Sequence, residues 1–243
     1  MILIQKTTPP PGLILLKQQA EEAGMTDKEG YDLLNNPLKT EVRESLMREQ
    51  GHLCAYCMRR IPDERIENED TDLSDVYIEH WKARSANNTT GENEGLDYNN
   101  MLAVCSGNEK APEAIGRRKK RFLTCDKKRG NSSLTINPLD PATIDTLFYL
   151  TDGTICSSDA KIDNDIKTVL NLNCSSEAVS LPQLRKAVLD EVQASVDSEN
   201  EDLLLQNCKE QLLIWENEGD PRTPYIGIAI WWLREQIKAL TEA

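Results

Sequence analysis

Apolar residues recur at helical spacing at both ends of the chain. This spacing predicts helices over 13–24 and 37–50 near the N-terminus, and over 159–170, 182–196, 200–218 and 223–241 in the C-terminal half. In the last of these helices, Ile226, Ile230, Leu233 and Ile237 share one face. Residues 62–75 are acidic and polar, which predicts a loop.

Two short segments predict β structure. Residues 75–81 alternate apolar and polar side chains, as a short strand does, and they end by presenting Glu79 and His80 side by side. Residues 146–156 predict a β-hairpin, because Asp152-Gly153 is typical of the tight turn between two strands. The expected fold class is therefore α+β, in a mainly helical protein.

Length and composition narrow the class of protein. With 243 residues, 39% of them hydrophobic and 28% charged, the chain can bury a substantial core and has the composition of a soluble globular protein. The longest apolar run, 225–233, is too short to cross a bilayer, and residues 1–6 do not begin a signal-peptide pattern. We therefore expect a cytoplasmic protein with no membrane partner.

The net charge of −13 is unevenly distributed. Residues 110–137 contain nine basic and two acidic side chains, whereas residues 138–243 contain eight basic and 19 acidic ones. An acidic protein is a poor binder of polyanions when its charge is spread evenly. The basic run from Lys110 to Arg121 is either a solvated insertion or a loop that contacts phosphates, and the sequence leaves both open.

Four of the seven cysteines have a spacing that suggests a metal site. Cys54 and Cys57 form a Cys-x-x-Cys pair, and Cys105 and Cys125 lie further along the chain. Together they can supply the four sulfurs of a structural Zn²⁺ site, although an isolated Cys-x-x-Cys pair can also be redox-active or accidental. The remaining cysteines have no partner spacing and are assigned to core or surface positions; they are Cys156, Cys174 and Cys208.

The residues around these cysteines resemble the zinc-knuckle branch of the HNH endonucleases. The matching elements are Cys54-Ala-Tyr-Cys57, the pair Glu79-His80, Asn100 five residues before Cys105, and Cys125 followed by Asp126 and Lys127. The resemblance implies a ββα-metal finger, inserted in the helical protein and stabilised by the four-cysteine zinc site. It also implies metal-dependent hydrolysis of the phosphodiester bonds of nucleic acid.

The resemblance assigns roles to individual residues. His80 matches the general base, and Glu79 and Asp126 match ligands of a catalytic Mg²⁺ or Mn²⁺ ion. Asn100 matches the asparagine that braces the loop between the two strands and orients the histidine. Glu79 stands where the family usually has aspartate, and Asp126 where it usually has asparagine or histidine, but both keep an oxygen ligand. Several basic residues are expected to contact nucleic acid: Lys82, Arg117, Arg118, Lys119, Lys120, Arg121, Lys127, Lys128 and Arg129.

Features of the C-terminal half resemble the PtuB family of antiphage HNH proteins, which includes proteins encoded in retron operons. These features are residues 136–141, the Asp152-Gly153 hairpin, and residues 168–173 followed by Leu184-Arg185. The resemblance extends over nearly the whole chain. It implies a toxic nuclease that assembles with a PtuA-type ABC/SMC-like ATPase and, in retron systems, with a reverse transcriptase and its msDNA.

The expected organisation has three parts. An N-terminal helical segment (1–50) precedes an HNH nuclease domain with its zinc knuckle (51–137). A β-hairpin and helical region (138–243) follows, and its acidic surface is expected to dock onto a partner.

Alternative functions stay open. The substrate can be DNA or RNA, including tRNA. A zinc-stabilised module that binds nucleic acid or a partner without cutting is one alternative, and a structural adaptor for an ATPase is another. The cluster of Glu79, His80 and Asp126 favours the nuclease, because zinc binding alone does not require it.

Overall fold

The N-terminal segment forms three helices in the computed structural model, which describes residues 1–62, 73, 75–83, 94–111, 119–176 and 179–242. Helix α1 (Pro11–Glu22) begins with a proline, which suits the first turn, and is followed by Gly24 (φ 65°), the left-handed residue that commonly succeeds a helix. Helices α2 (Asp27–Asp32) and α3 (Leu38–Glu49) complete the segment. The helices predicted over 13–24 and 37–50 are confirmed, with small shifts at their ends.

A tight turn and a two-stranded sheet follow these helices. In the turn, the Cys54 amide donates to the Arg59 carbonyl at 2.8 Å, and the Met58 amide donates to the Cys54 carbonyl at 3.0 Å. Strand β1 (Tyr77–His80) pairs antiparallel with β2 (Met101–Val104), with His80 opposite Met101. Between the strands lie 3₁₀ turns at Glu94–Leu96 and Tyr98–Asn100, and after them come α4 (Lys119–Phe122) and α5 (Cys125–Arg129).

The C-terminal half consists of a hairpin and helices. Its elements are α6 (Pro141–Ile144), β3 (Leu147–Tyr149), β4 (Ile155–Ser157), α7 (Ala160–Asn164) with a π-helical turn at Asp165–Val169, α8 (Leu181–Val196), α9 (Glu201–Glu216) and α10 (Gly227–Glu242). The predicted hairpin and four helical regions are confirmed. The last helix begins later than residue 223 because Tyr225 has a left-handed backbone (φ 62°), which a right-handed α-helix does not accommodate. None of the described helices combines the length and apolar character that crossing a membrane requires.

One continuous set of buried apolar side chains joins these parts. It includes Leu46 of α3, Leu102 of β2 and Leu233 of α10. The side chain of Gln50 ties α3 to the sheet, because its Nε2 atom donates to the Ala103 carbonyl and its Oε1 atom accepts from the Ala103 amide, both at 2.8 Å. The observed architecture is α+β with about half of the chain helical. The predicted domain boundaries at residues 50 and 137 stay predictions.

Candidate zinc and catalytic sites

The four predicted zinc ligands converge in the structure. The sulfur atoms of Cys54, Cys57, Cys105 and Cys125 all lie within 4.8 Å of one another, and all four residues are buried. Three Sγ–Sγ distances are 3.7, 3.8 and 3.9 Å. A tetrahedron with Zn–S bonds of about 2.3 Å has edges of about 3.8 Å, so the sulfurs stand at the separation that a zinc ion requires. They are too far apart for disulfide bonds, whose S–S length is about 2.05 Å.

The charge state of the four cysteine thiols depends on whether a metal cation is bound to them. Burial raises the pKa of the Cys54 thiol well above its ordinary value, whereas hydrogen bonds from the neighbouring thiols lower the pKa of Cys57. Zinc binding requires the deprotonated form of each sulfur. Four thiolates around one Zn²⁺ would carry a net charge of about −2, and the buried guanidinium of Arg59 would offset part of it. Burial alone would lower the pKa of Arg59, but Cys105 and Cys57 raise it above its ordinary value.

His80 lies at the end of β1 with its imidazole ring buried. Its Nε2 atom is 2.9 Å from the carbonyl oxygen of Gly95. A carbonyl oxygen only accepts hydrogen bonds, so Nε2 carries the proton, and Nδ1 is the basic nitrogen of the neutral ring. The local geometry therefore assigns His80 the tautomer that a general base acting through Nδ1 needs.

Two carboxylates stand together beside this histidine. Burial raises the pKa of Glu79 to about 8, and the neighbouring Asp126 carboxylate contributes to the rise through its charge and its hydrogen bond with Glu79. Two carboxylates this close repel one another unless a proton or a cation lies between them. Oxygen donors of this type suit Mg²⁺ or Mn²⁺, so the donor set fits the expected catalytic ion.

Arg129 opposes part of the negative charge. Its side chain is 1% exposed, and its guanidinium forms an ion pair with Glu79 Oε1. The same group donates to the carbonyls of His80 at 2.9 Å and Trp81 at 2.6 Å, and its Nε atom donates to the Ser132 carbonyl at 2.8 Å. The sequence analysis expected Arg129 to contact nucleic acid. The structure instead places it under the end of β1, where its donors are used within the protein.

Asn100 connects the two ends of the loop between the strands. Its Oδ1 atom accepts from the Lys82 amide at 2.7 Å, and its Nδ2 atom donates to the carbonyls of Lys82 at 3.1 Å and Glu94 at 3.3 Å. Glu94 is next to Gly95, the acceptor of the His80 hydrogen bond. Asn100 thus holds the loop that carries this acceptor.

A cavity of about 410 Å³ opens over these groups. Its lining residues are Lys28, Ile78, Glu79, His80, Ala83, Asp126, Arg129, Gly130 and Asn131. A larger groove of about 910 Å³ lies between residues 1–5, β3 and α10, and its lining includes none of the predicted catalytic residues. The smaller cavity is therefore the candidate catalytic site, since it collects the groups with matching chemistry.

The structure describes only some of the residues that were predicted to contact nucleic acid. Lys120 and Arg121 are exposed on α4, and Lys128 reaches the Lys120 carbonyl at 3.1 Å. Lys127 pairs with Glu109 at 3.1 Å, and Lys82 pairs with Glu94 at 3.0 Å. The predicted contacts Arg117 and Arg118 lie outside the described residues, as does the side chain of Lys119.

Comparison with known proteins supports one kind of chemistry. Over 70 residues the chain is 30% identical to a protein of Escherichia coli that is named as an HNH endonuclease of retron Ec83. This similarity favours a nuclease of HNH type. The match covers 29% of the chain and 24% of the relative, so the chain spans about a quarter of the protein that it matches. No protein-family profile matches the chain.

The structure adds residues that the sequence analysis did not select. Tyr56, inside the Cys-x-x-Cys turn, donates its hydroxyl proton to Glu79 Oε1 at 3.2 Å and so connects the cysteine cluster with the carboxylate site. Lys28 lines the catalytic cavity from α2, and its Nζ atom pairs with Asp32 at 2.7 Å. Tyr56 could have been noticed because it lies between two zinc ligands. Lys28 carries no such signal, because only the packing of α2 brings it to the cavity.

We predict that Arg129→Met destabilises the protein by about 3–5 kcal/mol, the usual cost of removing one partner of a buried ion pair. The neighbouring Lys128→Met is the matched control and should change the free energy of unfolding by less than about 0.5 kcal/mol, as surface substitutions usually do. Urea unfolding monitored by circular dichroism measures both values. Equal stability of the two variants would contradict the structural role of Arg129.

Proposed function

We propose that this chain is a metal-dependent HNH endonuclease in which β1, β2 and α5 form a ββα-metal finger. The observation that carries the proposal is the meeting of His80, Glu79 and Asp126 around one cavity. Asp126 directly follows Cys125 in the chain, so the zinc ligand and the catalytic carboxylate share one short helix. The similarity to a protein named as an HNH endonuclease points to the same chemistry.

Each residue of the site has a separate role in the proposed phosphodiester hydrolysis. His80 accepts a proton from the attacking water at Nδ1 while its Nε2–H group is held by Gly95. Glu79 and Asp126 would hold Mg²⁺ or Mn²⁺, and the bound ion would supply positive charge for the phosphate and the leaving oxygen. Arg129 keeps the Glu79 carboxylate at the end of β1. The four-cysteine zinc site keeps α5, and therefore Asp126, against the sheet.

A cleavage assay tests this function. Zinc-loaded protein, dialysed free of other divalent ions, is incubated with duplex DNA and with tRNA, each with and without Mg²⁺ or Mn²⁺. We expect cleavage of at least one substrate only when the second metal is added, with the zinc content unchanged. Binding of either nucleic acid without any cleavage in all metals would contradict the nuclease and favour a zinc-stabilised binding module. The two substrates also decide between a DNA nuclease and an RNA-specific one.

We further propose that the protein is a PtuB-type toxic effector of antiphage defence. The proposal is supported by the sequence resemblance described above and by the retron named in the similar protein. It assigns the chain a PtuA-type ABC/SMC-like ATPase as partner and, in a retron system, the reverse transcriptase with its msDNA.

Helix α9 is the surface that we propose for this ATPase. It exposes three large apolar side chains, Leu203 (48%), Leu213 (64%) and Ile214 (60%). Leu213 and Ile214 are neighbours in the chain, and large apolar side chains exposed next to each other can mark a protein interface. The acidic residues of the surrounding region would complement a basic patch on the partner and orient the encounter.

Co-elution with the ATPase tests the surface. We expect the wild-type chain to co-elute, and the double substitution Leu213→Ser with Ile214→Ser to prevent it. Leu15→Ser on α1, where Leu15 is also exposed (55%), serves as the control and should leave the complex intact. Retained co-elution of the double variant at low and high salt would rule out α9 as the docking surface.

A further inference from the structure

Helix α2 lies outside the predicted finger, but it contacts the proposed general base. The ring of Tyr31 meets the imidazole of His80 edge-on, with centroids 4.9 Å apart and an interplanar angle of 81°. Both side chains are buried. An edge-to-face arrangement is favourable for aromatic rings and restricts the rotation of both. Tyr31 therefore limits the orientations that the His80 ring can adopt.

The same helix also contacts the hydrogen-bond acceptor of His80. A Cβ atom on Gly95 would overlap with the backbone carbonyl oxygen of Asp27, so glycine is the residue that lets α2 pack this closely on the loop. The carbonyl of Gly95 receives the Nε2–H group of His80. Helix α2 thus touches the imidazole through Tyr31 and its acceptor through Asp27.

Local interactions hold α2 in this position. Thr26 and Glu29 form a capping box, in which the Thr26 amide donates to Glu29 Oε2 at 2.9 Å and the Thr26 hydroxyl accepts from the Glu29 amide at 3.4 Å. Lys39 of α3 lies over the Tyr31 ring at 5.5 Å. A helix of six residues is unstable alone, so its geometry depends on this capping and packing.

We propose that α2 is a positioning element of the catalytic site, with Tyr31 as the positioning residue of His80. Tyr31 and the Gly95 carbonyl together hold the ring with the proton on Nε2, so that Nδ1 is the basic nitrogen. The catalytic purpose of this arrangement rests on the proposed nuclease function. The arrangement itself is a property of the histidine that can be measured without substrate.

Nitrogen-15 NMR of histidine-labelled, zinc-loaded full-length protein tests the arrangement directly. The chain has two histidines, so a His52→Asn background leaves His80 as the single imidazole. Asparagine tolerates the left-handed backbone of residue 52 (φ 56°). We expect the Nε2–H tautomer in this background and in Tyr31→Phe, which keeps the ring, and a mixture of tautomers in Tyr31→Leu. An unchanged Nε2–H tautomer in folded Tyr31→Leu would overturn the proposal.

A second variant keeps the test decisive if Tyr31→Leu does not fold. Gly95→Ala should push α2 away from the loop and produce the same mixture of tautomers, with the zinc content retained. Gly219→Ala is its control, because a Cβ atom at Gly219 has no neighbour within 4 Å. A wild-type spectrum for Gly95→Ala would contradict the role of α2.

Kinetics separate this proposal from the nuclease proposal. Misplacing a catalytic group slightly can cost about 100-fold in rate, so we expect Tyr31→Leu to lower kcat by about 10- to 100-fold with little change in KM, and Tyr31→Phe to restore most of kcat. If the wild-type chain is an active nuclease and Tyr31→Leu keeps the full kcat, the positioning role of Tyr31 is overturned. If the wild-type chain cuts nothing, the nuclease proposal fails, and the tautomers alone decide whether α2 positions His80.

Discussion

Replacing His80 with alanine should lower the rate of metal-dependent cleavage by about 10²–10⁴-fold, the usual contribution of a general base. The imidazole of His80 lines the cavity. Its Nε2–H group donates a hydrogen bond to the Gly95 carbonyl, so Nδ1 is the nitrogen that can accept a proton. Single-turnover cleavage at saturating Mg²⁺ or Mn²⁺ measures the effect on the chemical step. Nucleic-acid affinity and zinc content should stay at their wild-type values.

The other histidine provides the control. His52 lies near the knuckle, where its Nδ1 atom is 2.5 Å from Asp220, and it does not line the catalytic cavity. His52→Asn should therefore cleave at the wild-type rate. Cleavage by His80→Ala at that rate would mean that another group activates the water, and the proposed role of His80 would be wrong.

Replacing Cys125 with serine should remove the structural zinc and unfold the region around it. In zinc-finger peptides a structural zinc ion contributes about 10–16 kcal/mol, which is as large as the total stability of a typical domain at about 5–15 kcal/mol. We expect bound zinc to fall far below one ion per chain and the thermal transition to broaden and shift downward. Elemental analysis and calorimetry measure these changes.

Cys156 offers a matched control for this substitution. It is a buried cysteine of β4 that does not belong to the four-sulfur cluster. Cys156→Ala should keep the full zinc content and lose only the packing of one small side chain. A full zinc content in Cys125→Ser would show that the four-cysteine cluster is not the zinc site. The proposal that this cluster binds a structural zinc ion would then be wrong.

Much of the fold could be predicted from local patterns. The helices at both ends follow the spacing of apolar residues, and the hairpin around Gly153 (φ 83°) follows from its Asp-Gly turn. The four cysteines could be grouped because a structural zinc site takes four ligands and the Cys-x-x-Cys pair supplies two of them, although 19 residues separate Cys105 from Cys125. Helix α2 was missed because six residues give little periodicity, although its Thr26 and Glu29 capping pair is visible in the sequence.

The remaining features of the candidate site depend on contacts between distant residues. Arg129 stands in a run of three basic residues, and nothing in that run separates it from Lys127 and Lys128. In the structure, the turn of α5 directs Arg129 inward to Glu79, whereas Lys127 pairs with Glu109 nearer the surface. The contacts of Tyr31 with His80 and of Tyr56 with Glu79 likewise join segments separated in sequence, so local patterns could not reveal them.

The buried pair of Glu79 and Arg129 also constrains how this sequence can evolve. A change at either residue alone leaves an uncompensated buried charge at the end of β1, whereas a joint change to residues without charge would remove the ligand together with its counter-ion. Divergent descendants that keep a catalytic ion should therefore retain both residues or exchange them in a coordinated way. Positions 79 and 129 are expected to covary during divergence, while the half-buried lysine at position 128 drifts independently.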